Sequence, residues 1–168
     1  ILGLGSIGQR VAQFGQVFGM RVIAWSENLT AERAEQAGVT YVSKQQLFEQ
    51  ADVLSVHLVL SDRSRGLVDA QALGWMKPTA LLVNTARGPI VDEAELIKAL
   101  QKQRIAGAAL DVFDQEPLPA LHPFRTLDNV LATPHVGYVS RQNYQQFFSQ
   151  MIEDIQAWSA GDPLRLLN

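Results

Sequence analysis

The sequence predicts an α/β fold, a doubly wound, mostly parallel sheet with helices on both faces. Three observations lead there. Gly3, Gly5 and Gly8 fit a G-x-G-x-x-G spacing between apolar Ile1-Leu2 and a helix-patterned run of Val11, Phe14, Val17 and Phe18. Short apolar tracts then recur at residues 22–25, 52–60, 80–83, 105–110 and 130–133, of the kind that fills the middle of a parallel sheet. Between them lie segments with helical spacing and recognisable caps. Such alternation winds into a right-handed parallel sheet.

In that context the glycines describe a Rossmann-like strand-to-helix turn. Gly3 permits a tight exit from the strand, Gly5 lets a pyrophosphate approach the backbone, and Gly8 lets the helix pack closely on the sheet. A helix starting near Ser6 aims free N–H groups and a positive dipole end at the phosphates. The plainer alternative is a glycine-rich turn that binds nothing. Residues 21–25 follow as a second strand, with Ser26 and Glu27 at its tip, where such folds hold the adenosine ribose. Glu27 is either an acceptor for the ribose hydroxyls or a solvated turn residue. Ser26 is indifferent to a 2′-phosphate, and no arginine follows directly, which favours NAD over NADP.

The remaining elements come in order. Thr30 caps a helix over 31–37 that stops at Gly38, and 39–42 is a short strand. Ser43 and Gln46 read as a capping box opening the next helix. Residues 52–60 are the strongest strand. Near its carboxyl end His57 either faces the cofactor crevice or, as the better reading, is a buried, hydrogen-bonded structural residue. Residues 69–76 form a helix closed by Lys77-Pro78. The strand at 80–83 runs into Asn84-Thr85-Ala86-Arg87-Gly88, and Asp92 with Glu95 caps a helix over 93–103. The strand at 105–110 ends at Asp111, a proline-rich loop carries Glu116, and the strand at 130–133 precedes Pro134-His135. Ser140 caps a long helix reaching Ser159, ended by Gly161-Asp162-Pro163. No linker, repeat or low-complexity stretch divides the chain, so residues 1–168 read as one domain.

Composition narrows the function classes. Of 168 residues 47% are hydrophobic, enough for a sizeable core. The net charge of -3 comes from scattered residues, with no basic stripe for nucleic acid. There are no cysteines, which rules out disulfides and thiolate metal sites and is compatible with a cytoplasmic location. Only three histidines occur, at 57, 122 and 135, which argues against a clustered metal site. No apolar run approaches a membrane span.

Ligands of such sheets sit outside the carboxyl ends of the strands. Arg87, Asp111, Glu116 and His135 fall there, far apart in sequence but converging in the expected fold. Beside a dinucleotide they supply the parts for hydride transfer to a 2-oxo acid. The arginine grips a carboxylate and polarises the carbonyl. The histidine moves a proton, and a carboxylate keeps the imidazole charged and oriented. Taken singly, each has a plainer role: a surface ion pair, a loop cap, a solvated acid, a partner for a buried backbone group.

Asn84-Thr85-Ala86-Arg87-Gly88-Pro89-Ile90-Val91-Asp92-Glu93, Gly107-Ala108-Ala109-Leu110-Asp111-Val112-Phe113, Gln115-Glu116-Pro117 and Thr133-Pro134-His135-Val136-Gly137 together resemble the D-isomer-specific 2-hydroxyacid dehydrogenase family, in the right order over nearly the whole chain. The resemblance implies that Arg87 binds substrate, that His135 is the acid/base and that Glu116 is its partner. It implies that Asp111 contacts the nicotinamide carboxamide. It puts Ser6 and Ile7 along the pyrophosphate and Ser26 at the ribose, while Leu58, Thr85, Ala86, Gly137 and Tyr138 line the rest of the cofactor. Ser26 departs from the family's common aspartate, which leaves NAD and NADP both open. A glutamate at 116 speaks against the formate dehydrogenase branch.

The family builds a second, catalytic domain from an N-terminal segment, toward which residues of about 150–168 return. Few residues precede Gly3 and no methionine starts the sequence, so it reads as a piece of a longer chain that binds cofactor but turns over poorly by itself. Relatives usually pair as homodimers through the nucleotide domain, and Trp75, Phe113 and Phe124 are expected as exposed apolar contacts. A cofactor-sensing protein of the corepressor type is the alternative function. Domains of the alanine dehydrogenase or adenosylhomocysteinase type fit Glu116-Pro117 and Pro134-His135 less well.

Overall fold

The architecture spreads outward from Leu2. In the computed structural model, which describes residues 1–166, Leu2 bridges in parallel to Trp25 on one side and Val56 on the other. Beyond Trp25 lie β1 (Ile23–Ala24) and β2 (Thr40–Tyr41). Beyond Val56 lie β3 (Val53–Val56), β4 (Leu81–Asn84), β5 (Gly107–Leu110) and β6 (Val130–Ala132). Every pairing is parallel, giving the order β2, β1, Leu2, β3, β4, β5, β6. The direction of winding reverses between Leu2 and Val56, the kind of switch point where open α/β sheets hold ligands. Register runs straight across, since Leu2, Val56, Asn84, Leu110 and Ala132 are successive partners. The loops leaving these five residues therefore emerge at one edge.

The helices are α1 (Ser6–Val17), α2 (Ala31–Gln36), α3 (Lys44–Gln50), α4 (Ala70–Trp75), α5 (Glu93–Gln101) and α6 (Arg141–Ser159). Side-chain caps open five of the helices, at Thr30, Ser43, Asp92 and Ser140 as expected and at Asp69 in addition. Thr30 accepts from Arg33 N, Asp69 from Ala72 N, Asp92 from Glu95 N and Ser140 from Asn143 N, while Ser43 and Gln46 close both halves of a capping box. Each such cap contributes about 1 kcal/mol. None of the described helices is long and apolar enough to cross a membrane.

Two apolar cores flank the sheet. The larger gathers Leu47 and Phe48 of α3, Leu73 of α4, and Leu96 and Leu100 of α5 over Ile23, Leu54, Val56 and Leu82. The smaller holds Ala12 of α1 and Ala34 of α2 with Leu4, Ala24, Leu29 and Val39. Ile23 belongs to one and Ala24 to the other. Successive strand residues point to opposite faces, so helices cover both.

Some expectations need correcting. Pairing in the 52–60 tract stops at Val56, because Gly3 turns the neighbouring chain away directly after His57 N donates to Leu2 O. Phe113 and Phe124 are buried, at 4% and 3% exposure, with their rings 6.3 Å apart. Trp75 is half-buried against the larger core and edge-on to Phe48. Phe113 and Phe124 thus serve the interior rather than the surface, and Trp75 does so in part. Exposed apolar side chains among the described residues include Phe14, Val17 and Phe18 of α1, whose buried stripe is Gly8 and Ala12.

The chain packs as two compact units, Ile1–His135 and Val136–Asn168. The second is α6 with its flanks. Tyr144 stacks on Phe148, and Arg165 pairs with Glu153 and Asp154 at 2.5 and 2.6 Å. Residues 167 and 168, the last of the expected C-terminal return, lie outside the described residues.

Candidate functional site

The glycine turn starts the carboxyl edge. Gly3 sits at φ +99°, and a Cβ there would lie 2.6 Å from His57 O, so only glycine suits both the backbone and the space. A Cβ on Gly8 would run into Gly3 O, and this close approach lets α1 start directly against the strand exit. Gly5 differs. Its φ of -77° suits any residue, and a Cβ there would meet no atom within 4 Å. The space above Gly5 is open, as a cradle for a ligand must be. Gly5 is also the N-cap of α1 and supplies no side-chain acceptor, so the first-turn amides around Ser6 and Ile7 are met by no capping side chain. Both residues are exposed. An open cradle at the positive end of a helix fits a pyrophosphate.

Next along the edge, Ser26, Glu27 and Leu58 line one cavity of about 230 Å³, together with Trp25, Asn28 and Arg63. Ser64 shapes its wall by donating to Val59 O at 2.7 Å and accepting from Ser61 N at 2.8 Å. His57 turns its Nε2 to Ser55 Oγ at 2.8 Å. Burial holds its pKa below the usual 6.5. It is the structural histidine the sequence suggests.

At the end of β4 the buried Asn84 folds the following loop. Its Nδ2 donates to Arg87 O and its Oδ1 accepts from Ala86 N, both at 3.0 Å. Thr85 and Arg87 are exposed, and Arg87 Nη1 donates to Ala86 O at 2.6 Å. At the end of β5, Asp111 is buried and Oδ1 accepts from Thr133 Oγ1 at 2.5 Å. Thr133 belongs to the segment leaving β6, so this contact ties two strand ends together.

His135 lies two residues further on, in the left-handed region at φ +54°. That backbone is uncommon for a side-chain-bearing residue and turns the imidazole out of line with its strand. Its Nδ1 stands 2.6 Å from Glu116 Oε2, and Glu116 Oε1 accepts from Phe113 N at 3.0 Å. Burial pushes the Glu116 carboxyl up. The hydrogen bonds from His135 and Phe113 N, with the charges of His135 and Arg87, outweigh it and hold the pKa below the usual 4.5. Arg87, Glu116 and His135 thus share one electrostatic neighbourhood on the edge that also carries the glycine turn. Gly137 and Tyr138 belong to the second unit, where Tyr138 O accepts from Asn143 Nδ2 at 2.6 Å.

Sequence reading passed over the residues that build this geometry. Asn84 and Thr133 each left a signal, a polar side chain closing a buried strand. Glu93 and His122, whose side chains meet beside the Glu116 loop, left none, being 29 positions apart with no shared motif.

Comparison with known proteins shows the family to which the chain belongs. Residues 1–137 match the family described as D-isomer specific 2-hydroxyacid dehydrogenase, NAD binding domain. Over its whole length the chain is 43% identical to a glyoxylate reductase of Aeropyrum pernix, covering 50% of that protein. A phosphoglycerate oxidoreductase structure from Vibrio cholerae superposes with a TM-score of 0.89 at 41% identity, over 95% of this chain and 51% of that one. A D-lactate dehydrogenase with NAD+ from Lactobacillus jensenii superposes at 0.82 and 28% identity, over 99% and 54%. The chain therefore spans about half the length of these three relatives. It belongs to the D-isomer specific 2-hydroxyacid dehydrogenases, through their NAD-binding domain.

Proposed function

We propose that this chain is the nucleotide half of a dehydrogenase that interconverts a small 2-oxo acid and its D-2-hydroxy acid, with NAD as the preferred cofactor. The contact between His135 and Glu116, at the edge where Gly5 leaves an open cradle, carries the reading. Gly3, Gly5, Ser6, Ile7 and Gly8 hold the pyrophosphate, and Ser26 and Glu27 meet the adenosine ribose. Leu58, Thr85, Ala86 and Asp111 line the remainder. A nicotinamide cofactor held by these residues would supply the hydride chemistry at the substrate carbon.

The chain's own residues do the rest. Arg87 binds the substrate carboxylate and polarises the carbonyl with its guanidinium. His135 transfers the proton on the substrate oxygen through Nε2, while Nδ1 stays with Glu116. The carboxylate stabilises imidazolium and fixes the ring. A second domain closes over the substrate and selects its side chain, so the 168-residue piece binds NADH yet turns over poorly. We place the whole protein in the cytoplasm as a homodimer, its contacts drawn from the exposed Phe14, Val17 and Phe18.

Full-length protein assayed with NADH and NADPH against glyoxylate, hydroxypyruvate and pyruvate tests this reading. NADH oxidation with at least one acid is expected. Tight NADH binding without turnover on any of them would overturn it in favour of a cofactor-sensing protein.

A further inference from the structure

Apart from Arg87, Glu116 and His135, a second carboxylate grips the loop that carries Glu116. Glu93 opens α5, and its Oε1 meets His122 Nε2 at 3.0 Å while Oε2 accepts from Asp114 N at 3.1 Å. The Glu93 and His122 side chains are only 20% and 14% exposed. His122 Nδ1 accepts from Phe124 N at 3.3 Å, which assigns the ring proton to Nε2 and makes His122 the donor to Glu93. The imidazole also packs on Phe124, with ring centres 4.8 Å apart. One carboxylate therefore holds both ends of the segment from 114 to 122.

Consecutive amides connect the two acids: Phe113 N donates to Glu116, and Asp114 N donates to Glu93. The peptide joining those residues lies directly on Gly88, where any Cβ would overlap Phe113 C and O. Gly88 adjoins Arg87. A shift of the 113–114 peptide would thus disturb the Glu116 carboxylate and the arginine loop together.

We propose that Glu93, through His122 and the Asp114 amide, is a positioning residue that holds Glu116 against His135. The proposal rests on the dehydrogenase reading and refines it. Glu93 contacts neither substrate nor cofactor. It sets where the partner of the imidazole stands.

The test uses full-length protein carrying Glu93→Ala, Glu93→Gln or His122→Phe. Glutamine keeps a carbonyl acceptor for the Asp114 amide. Phenylalanine keeps the packing on Phe124 but loses the donor. Glu93→Ala should lower kcat by about 10- to 100-fold, as expected when a reacting group moves by about an ångström. NADH Kd should stay within about twofold, since the glycine turn is untouched. Glu93→Gln should recover most of the loss, and His122→Phe should fall between. Unchanged kcat in both Glu93→Ala and His122→Phe would overturn the proposal. So would NADH affinity falling in parallel with kcat, which marks general loosening of the fold. If Glu93→Ala does not fold, His122→Phe decides the matter by the same kcat and Kd criteria. Absence of turnover in the wild-type protein would refute the dehydrogenase reading instead, a separately recognisable outcome.

Discussion

His135 Nδ1 lies 2.6 Å from Glu116 Oε2, across 19 positions of sequence, with the histidine backbone at φ +54°. The left-handed backbone turns the ring toward the proline-rich loop, and the loop returns a carboxylate to meet it. Asparagine accepts positive φ better than most residues, so His135→Asn removes the proton carrier while respecting the backbone. In the full-length enzyme kcat should fall by about 10²- to 10⁴-fold with the melting temperature nearly unchanged. Turnover near the wild-type level would dismiss His135 as the acid/base.

The glycine turn separates folding from binding. Gly5→Ala places a methyl group where nothing of the chain stands, so stability should change by no more than about 0.5 kcal/mol. NADH affinity should nonetheless drop, because that methyl fills the cradle. Gly8→Ala drives a methyl into Gly3 O and should cost about 1–3 kcal/mol as well as binding. Urea denaturation and a fluorescence titration with NADH measure the two effects. A Gly5→Ala chain that binds NADH as well as wild type would remove the phosphates from this turn.

The Glu116 carboxyl has a folded pKa below its ordinary 4.5. The unfolded chain therefore binds the proton more readily, and the contribution of the ionised Glu116 carboxylate to stability is complete above pH 4.5. It fades as pH falls through the folded value. A carbon-detected NMR titration of Glu116 should show a midpoint below 4.5, moving up in His135→Asn. A midpoint at or above 4.5 in the wild type would mean that the hydrogen bonds to this carboxylate do not outweigh its burial.

His57 titrates with the opposite charge. Its folded pKa lies below 6.5, so the unfolded state takes up the proton first as the solution is acidified. The stability due to neutral His57 is present above pH 6.5 and is lost as pH falls toward the folded value. Imidazole NMR shifts should place His57 below 6.5, and a value above it would mean that burial does not control this ring.

Asn84 offers a test of the loop that presents Arg87. Asn84→Ala strands the Ala86 amide and the Arg87 carbonyl, which should cost about 1–3 kcal/mol. KM for the 2-oxo acid should rise in the full-length enzyme as the guanidinium loses its fixed approach. Unaltered stability and KM would show that the loop holds its shape without the side chain.

Local chemistry was legible wherever one residue acts on near neighbours. The helix caps, the Gly3-Gly5-Gly8 turn and the apolar strands each announce themselves within a few positions. Strand lengths were overestimated because composition says that residues 57–60 are apolar, not that their partner has turned away at Gly3. The aromatics were misplaced for a similar reason. Phe113 and Phe124 find each other through a loop whose path no local pattern encodes.

From the amino acids alone came the winding of the sheet, the edge that receives ligands, and the residue types gathered there. Periodicity, caps and glycine spacing act over a few residues, and parallel strands must finish at a common edge. The family resemblance already paired Glu116 with His135; only the tertiary structure decided that Asn84 and Thr133 brace neighbouring strand ends, and that Glu93 holds both ends of the loop between. Those contacts depend on where loops settle after the sheet has formed, and ångström-scale placement is a property of the packed chain rather than of any short stretch of it.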